Sequence, residues 1–367
     1  MSAAASIVTA QAFVVLLIAV VAWMMPAMTR PDLYFAVTVA PAFRSTPAGL
    51  AILRRYRREV AVHAAIGGAL VAGSGLAARP LAAYAGVAWF GAGWFAAFFR
   101  ARGRVRPHAA PETTVREAAT RPRAANLPGG WALQLGPFAA LAAAAVYLHG
   151  RWQDLPGRFP IHWGFDGRPN GWAVRNAAGV YGPLWIGALV AGSMGLLAWL
   201  LSRGTRPIRP GGVAGAAERR FSRGVLGVLV GVEYLIGLTF AGVALLPLRA
   251  AGGEAGPPGV AVHLGVSLIF AAAATIFLLR MGQGGTHLAG DAGSEAAGGA
   301  PVGDRSPDRC WKAGIFYVNP DDPALFVEKR FGIGYTLNFA HPAAWLLMIL
   351  LLLVLPAVMF WIAAAGS

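Results

Sequence analysis

The chain has 367 residues, 57% hydrophobic and 13% charged, with a formal net charge of +15 from 31 basic and 16 acidic side chains. Soluble proteins carry roughly 25% charged residues, so the composition excludes an ordinary soluble domain and indicates a membrane protein. The single cysteine, Cys310, excludes an internal disulfide and a cysteine-rich zinc site, and the basic excess is arginine apart from Lys312 and Lys329.

A helix needs ~20 apolar residues to cross the ~30 Å hydrocarbon core. Eight stretches meet or approach that length: 7–28, 60–78, 81–99, 131–149, 180–201, 224–248, 259–279 and 343–364. The expected fold class is an all-α polytopic membrane protein of about eight transmembrane helices, with a small cytoplasmic β-rich element before the last one. The first stretch has no basic residue ahead of it, so it reads as a span rather than a signal peptide. Only "AARP" separates the second and third. They should form a tight hairpin, in which the small residues from Gly67 to Gly75 let the backbones approach.

Between the first two spans, "LYFAVTV" is β-branched and aromatic, which predicts a short strand. In "GLAILRRYRREV", Leu50, Leu53 and Tyr56 recur at helical spacing among Arg54, Arg55, Arg57 and Arg58. This is either an interfacial helix on anionic headgroups, at ~1 kcal/mol per basic residue, or a helix extension whose arginines set topology. The charge rule favours the second. Residues 100–130 lack apolar periodicity, and no aromatic side chain is interleaved for base stacking, so nucleic acid is excluded as a partner.

The segment "LPGRFPIHWGFDGRPNGW" is polar and tightly punctuated. His162 and Asp166 would share a helical face and could hold a metal, but Pro160, Gly164, Gly167 and Pro169 argue against a helix, and no metal is expected. One reading is structural: successive turns, with Asp166 capping amides and Trp163 and Trp172 anchored at the membrane interface. The other is an extracytoplasmic recognition loop presenting His162, Trp163, Asp166, Gly167, Pro169 and Trp172 to a ligand. His149 is near in sequence but at no known catalytic spacing.

Glu233 sits about ten residues into the sixth span, where a charge costs ~2.5–3.5 kcal/mol. It is either a proton or cation relay or a neutral acid hydrogen-bonded between helices, with His63 and His263 as conceivable partners. Residues 282–308 read as a Gly/Ala linker. Beyond them "GIFYV", "ALFVEK" and "YTLNF" predict three short strands, separated by "NPDDP" and "FGIG" turns. Asn319, Asp321 and Asp322 could offer oxygens to a divalent cation, but an EF-hand needs more ligands at set spacing, and a proline-flanked turn is preferred. No P-loop, HExxH, GxSxG or paired-acid motif is present, so neither a cofactor nor an enzymatic activity is expected.

Twenty-five of the 31 basic residues fall in loops 29–59, 100–130, 202–223 and 280–342. Arg79, Arg151, Arg158, Arg168, Arg175 and Arg249 fall on the opposite side. The positive-inside rule then places the first group in the cytoplasm and both termini outside a plasma membrane. The implied division is 1–130, a three-span region; 131–201, a membrane domain with the polar loop; 202–281, two spans; 282–308, a linker; 309–342, the cytoplasmic β-rich domain; and 343–367, the last span.

Two motifs carry a resemblance. "P-x-H-W" followed by "D-G-x-P-x-x-W" before a span resembles the domain of unknown function, family 1648, of SdpI-type bacterial immunity proteins. The stretch from Trp311 to Asn338, "W-x-x-G-x-F-Y-x-N-P-D-D-P-x-x-F-V-x-K-R-x-G-x-G-x-x-x-N", resembles a second uncharacterised domain, family 5808. Its motif residues here are Trp311, Tyr317, Asn319, Asp321, Asp322, Phe326, Lys329, Arg330 and Asn338. SdpI-like proteins confer immunity to a secreted toxic peptide and signal its presence by holding a repressor at the membrane. The resemblance therefore implies the lipid bilayer, an extracellular peptide and a cytoplasmic regulatory protein as partners. The alternative is a secondary transporter using Glu233, although no internal repeat supports such a fold. A membrane enzyme ranks last.

The arginine asymmetry makes a topological prediction. Reporter fusions after Trp172 and after Asn319 should report opposite compartments; the same compartment for both would invert part of the scheme.

Overall fold

A computed structural model describes residues 3–111, 127–163, 169–205, 212–251, 258–289, 306–353, 356 and 361. The chain forms two compact units. The first comprises 1–123, 204–222 and 275–342, and the second 124–203, 223–274 and 343–367.

Among the described residues, five helices are long and apolar enough to cross a membrane, at Ile7–Met28, Pro47–Leu76, Ala177–Gly204, Gly215–Arg249 and Gly265–Leu288. This is fewer than the eight spans expected, for reasons visible locally. Helix α3, Ala83–Val105, has 23 residues, but it starts after a 3-10 turn at Pro80–Ala82 and its three arginines fill the last turns from Arg100 on, so its apolar part is short for a span. The stretch expected at 131–149 divides into α4, Gly130–Gln134, and α5, Gly136–Gly150. Pro137 sits in the first turn of α5, where a missing N–H costs nothing. The expected last span is described as an 11-residue helix, Pro342–Leu352, beyond which only 353, 356 and 361 are described.

In the first unit, α1 (Ala3–Met28), α2 (Pro47–Leu76) and α3 pack together. Helix α2 begins well before the expected position 60. Thr46 caps it, its Oγ1 accepting from the Gly49 N–H at 3.1 Å, and Pro47 opens the first turn. The arginine-rich segment is therefore continuous helix. Arg57 lies over the Trp23 ring at 5.2 Å, and Glu59 pairs with Arg55, Arg100 and Arg104. Helices α2 and α3 meet at two glycines. A Cβ on Gly86 would stand 2.5 Å from the Gly67 carbonyl oxygen, and one on Gly67 would stand 2.8 Å from that of Gly86. Gly68 and Gly73, in the same small-residue run, face open space. Tyr56, fully buried, ties the three helices together: it accepts from the Trp94 indole N–H at 3.0 Å and donates to the Ala22 carbonyl at 2.8 Å.

"LYFAVTV" is not one strand. β1 (Leu33–Tyr34) and β2 (Val37–Thr38) fold back on each other about Phe35 and Ala36, which have φ of 46° and 62°. Two left-handed residues fit the tight turn that matches strand twist. Neither is glycine, so the turn is strained, and burial drives it. Phe35 is fully buried against Tyr56 at 4.8 Å, and the Arg102 guanidinium binds the Ala36 carbonyl at 2.5 Å.

Four more short strands follow in this unit: β5 (Trp311–Lys312), β6 (Phe316–Tyr317), β7 (Phe326–Glu328) and β8 (Tyr335–Leu337). The pairing is β5 with β6 and β7 with β8, both antiparallel, and a single bridge, Tyr317 to Asn338, joins the two hairpins. "NPDDP" thus lies between two hairpins rather than inside one.

In the second unit, α5 packs with α6 (Ala177–Gly204) and α7 (Gly212–Ala244) around Leu141, Leu148, Val180, Leu184 and Ala241. Close approach again depends on missing side chains: a Cβ on Gly237 would stand 2.8 Å from the Pro137 side chain. The Tyr234 hydroxyl donates to the Leu133 carbonyl at 2.9 Å, tying α7 to the end of α4. α8 (Leu246–Ala251) and α9 (Pro258–Met281) complete the described helices before the C-terminal module, together with the four-residue α10 (Thr286–Ala289); Pro342–Leu352 is α11.

Leucine at Gly86 should lower the thermal unfolding midpoint in detergent, by an overpacking cost of roughly 1–3 kcal/mol. Leucine at Gly91, which faces open space, should leave that midpoint near wild type.

Candidate functional site

The polar segment of the second unit is a β-hairpin, an element the turn-based reading did not foresee. β3 (Arg158–Trp163) pairs antiparallel with β4 (Pro169–Val174), with irregularities between Pro160 and His162 and between His162 and Trp163. Proline cannot donate to the ladder, so an irregularity beside Pro160 is expected. The backbones of His162, Trp163 and Pro169 lie in these strands, whereas Asp166 and Gly167 lie outside the described residues.

The pleat gives the hairpin two faces. Phe159 and its cross-strand partner Ala173 are buried against the helices. Trp172 is 39% exposed, with the Arg158 guanidinium 5.2 Å from its ring centroid. Arg158 was not among the sequence candidates; its place two residues before Pro160 on the strand face of Trp172 was the available signal. Below the hairpin, Arg175 donates to the Leu155 carbonyl at 3.0 Å, and the Asn176 side chain caps α6 through the Gly179 N–H at 2.7 Å. The hairpin thus rises from fixed ends.

Glu233, on α7, is 1% exposed, and neither carboxylate oxygen has a hydrogen-bond partner among the described residues. Gln134, also buried, has no partner for its side-chain oxygen or nitrogen. Both converge beside Gly195 of α6: from a Cβ built there, a Glu233 oxygen lies 3.3 Å away and the Gln134 oxygen 3.5 Å. Gln134 was missed in the sequence, although a lone amide within "WALQLGPF" is the same kind of signal as a lone carboxylate.

In the first unit, the motif residues of the C-terminal module close on one another. Tyr317 donates to Asp322 at 2.9 Å and accepts from the Asn319 amide at 3.0 Å. Asn338 accepts from the Asn319 N–H at 3.0 Å and donates to the carbonyls of Asn319 and Asp322 at 2.8 and 3.1 Å. Asp322 accepts the Ala324 N–H, Asn319 accepts the Asp321 N–H, and His341 bonds the Asp322 carbonyl. Asp321 itself is exposed. The side-chain oxygens of Asn319 and Asp322 are spent on protein donors, so "NPDDP" serves as a turn. Burial raises the Tyr317 phenol above its ordinary pKa, so it stays protonated and able to donate.

The loop between β7 and β8 docks this module. Phe331 packs at a tilt on Phe98, with ring centroids 4.3 Å apart, and stacks on Phe35 at 5.9 Å. Arg330 turns inward, fully buried, pairs with Asp308 and covers the Trp311 ring at 5.1 Å. Trp311 donates to Ser306 at 2.8 Å, and Phe326 is buried. Gln283 mimics a strand partner for Gly334, donating to its carbonyl at 2.9 Å and accepting its N–H at 2.8 Å. Gln283, Asp308 and His341 were not foreseen, because their roles depend on contacts distant in sequence.

With this geometry in view, two family models match. The Domain of unknown function (DUF1648) matches residues 139–187, from α5 through the hairpin into α6, and the Family of unknown function (DUF5808) matches 320–345, from the "NPDDP" turn into α11. The chain therefore carries both domains named from its motifs. No curated protein and no solved structure matches the chain.

Asn338→Ala should destabilise the protein by at least about 2 kcal/mol, because it strands a buried N–H and two carbonyls. Denaturant titration in detergent measures the loss, and a change under 0.5 kcal/mol would contradict a closed network.

Proposed function

We propose that this multi-span membrane protein is a binding protein of the SdpI-like kind. Its hairpin 158–174 takes a membrane-active peptide outside the plasma membrane, and its 309–342 module engages a regulatory protein in the cytoplasm. The two-faced hairpin carries the reading. One face is committed to the helices through Phe159 and Ala173, while the other presents Arg158 and Trp172 to the surroundings. An exposed tryptophan with a cation on its face supplies apolar area at low entropic cost, the property of binding hot spots. The arginine distribution supports the outward placement of the hairpin and of both termini. No catalytic role is assigned.

Transport through Glu233 is the second reading, favoured by the two unpartnered polar groups beside Gly195. The sealing of Glu233 by packing gives binding the preference.

Cells expressing the chain should survive a toxic membrane-active peptide better than cells without it. Trp172→Ala and Arg158→Ala should each remove that protection at normal expression, whereas Glu233→Gln should keep it. Protection lost with Glu233→Gln and kept with Trp172→Ala would reverse the order of the two readings.

A further inference from the structure

A cavity of about 420 Å³ opens in the first unit, within the size range of small-molecule sites. Its walls come from α1, α3 and α9 and from the loops of the C-terminal module, including Met25, Phe98, Leu279 and Phe331. Lys329 lines it as well. We propose that this cavity holds an acyl chain of an anionic phospholipid, with the headgroup phosphate on the Lys329 ammonium.

The cavity begins near Met28, the last residue of α1, and reaches Val21; on α9 it runs from Leu279 to Thr275, short of the last residue, Met281. At 1.5 Å per residue this is a slot about 10 Å deep, starting at the helix ends. Those ends carry Arg30, Arg102 and Arg280, the residues that settle at the headgroup level. The slot therefore occupies the depth of the upper part of an acyl chain. Its walls are apolar, and water gains little in such a space.

Lys329 and Arg330 are neighbours with opposite fates. Arg330 is buried and paired with Asp308, whereas Lys329 is exposed and forms no ion pair among the described residues. Although much of the residue's surface is exposed, the protein packed around its ammonium partly desolvates it and lowers the Lys329 pKa, and no carboxylate among the described residues compensates. A phosphate on the rim offsets that loss, and lysine, a compact point charge, is an established phosphate partner. The loop that presents it is fixed by Phe331 and by Gly332, whose φ of +96° favours glycine and where a Cβ would stand 3.7 Å from the Met25 sulfur. Of the two cations in the lining, Arg330 is held by Asp308 and Lys329 has no ion pair among the described residues, which suits one lipid chain and one headgroup better than a peptide.

The test uses the purified full-length chain in detergent, with native mass spectrometry after addition of phosphatidylglycerol or phosphatidylcholine of identical acyl chains. Wild type should retain phosphatidylglycerol about fivefold better, the ratio that ~1 kcal/mol per basic residue gives. Lys329→Gln should abolish that preference while keeping retention of phosphatidylcholine, and Lys329→Arg should keep most of it. Leu279→Trp, which fills the slot, should reduce retention of both lipids. A preference unchanged in Lys329→Gln would overturn the proposal, as would wild-type retention in Leu279→Trp. Displacement of phosphatidylglycerol by an equal concentration of lauric acid would also overturn it, by naming a fatty acid as the occupant. Because Lys329 is exposed, its variants decide the matter even where Leu279→Trp does not fold.

Discussion

A polar group that leaves water in this protein must find its partner inside the chain, because neither hydrocarbon nor a packed apolar interior offers one. Much of the architecture follows from that constraint. Tyr56 lies among three apolar helices and is tolerated because its hydroxyl both accepts from Trp94 and donates to Ala22. Asn338 is fully buried and makes three bonds to the turn it supports. The strained turn at Phe35 and Ala36 has its carbonyls bound by Arg102. Glu233 and Gln134 depart from the rule, being buried with their polar atoms unpartnered beside Gly195. Such groups in a membrane bundle are costly and tend to be functional.

Arginine serves this molecule in at least three ways. On α2 and α3 it gathers around Glu59. At Arg175 and Arg330 it turns inward, binding carbonyls in one place and a carboxylate in the other. At Arg158 it covers an exposed indole. A net charge of +15 is therefore not simply a topological signal. Part of it is structural, because a planar guanidinium can satisfy several carbonyls at once.

The two family-matched segments differ in character. The C-terminal one is mostly inward-looking: Asp322, Arg330 and Asn338 hold one another or the flanking Tyr317, Asn319 and Asp308, and of its motif residues only Lys329 and Asp321 are exposed. The hairpin faces both ways. A motif of the first kind maintains a shape, whereas one of the second kind can meet a partner.

The sequence by itself determined the solvent, the helical class, the positions of most long apolar helices, the two domain identities and the turn nature of "NPDDP". These properties are local: hydropathy over twenty residues, or Pro and Gly at fixed offsets, acts within its own segment. Tertiary structure decided what depends on distant residues. It made "LYFAVTV" a folded-back pair, because Phe35 is drawn into a pocket built by Tyr56 and Phe331. It paired β6 with β5 rather than β7, and it brought Gln134 to Glu233. It also sent Arg330 inward and left Lys329 on a cavity rim, a difference between adjacent cations that no local pattern encodes. Packing energy is shared among side chains far apart in the chain, and only the folded chain reveals which of them meet.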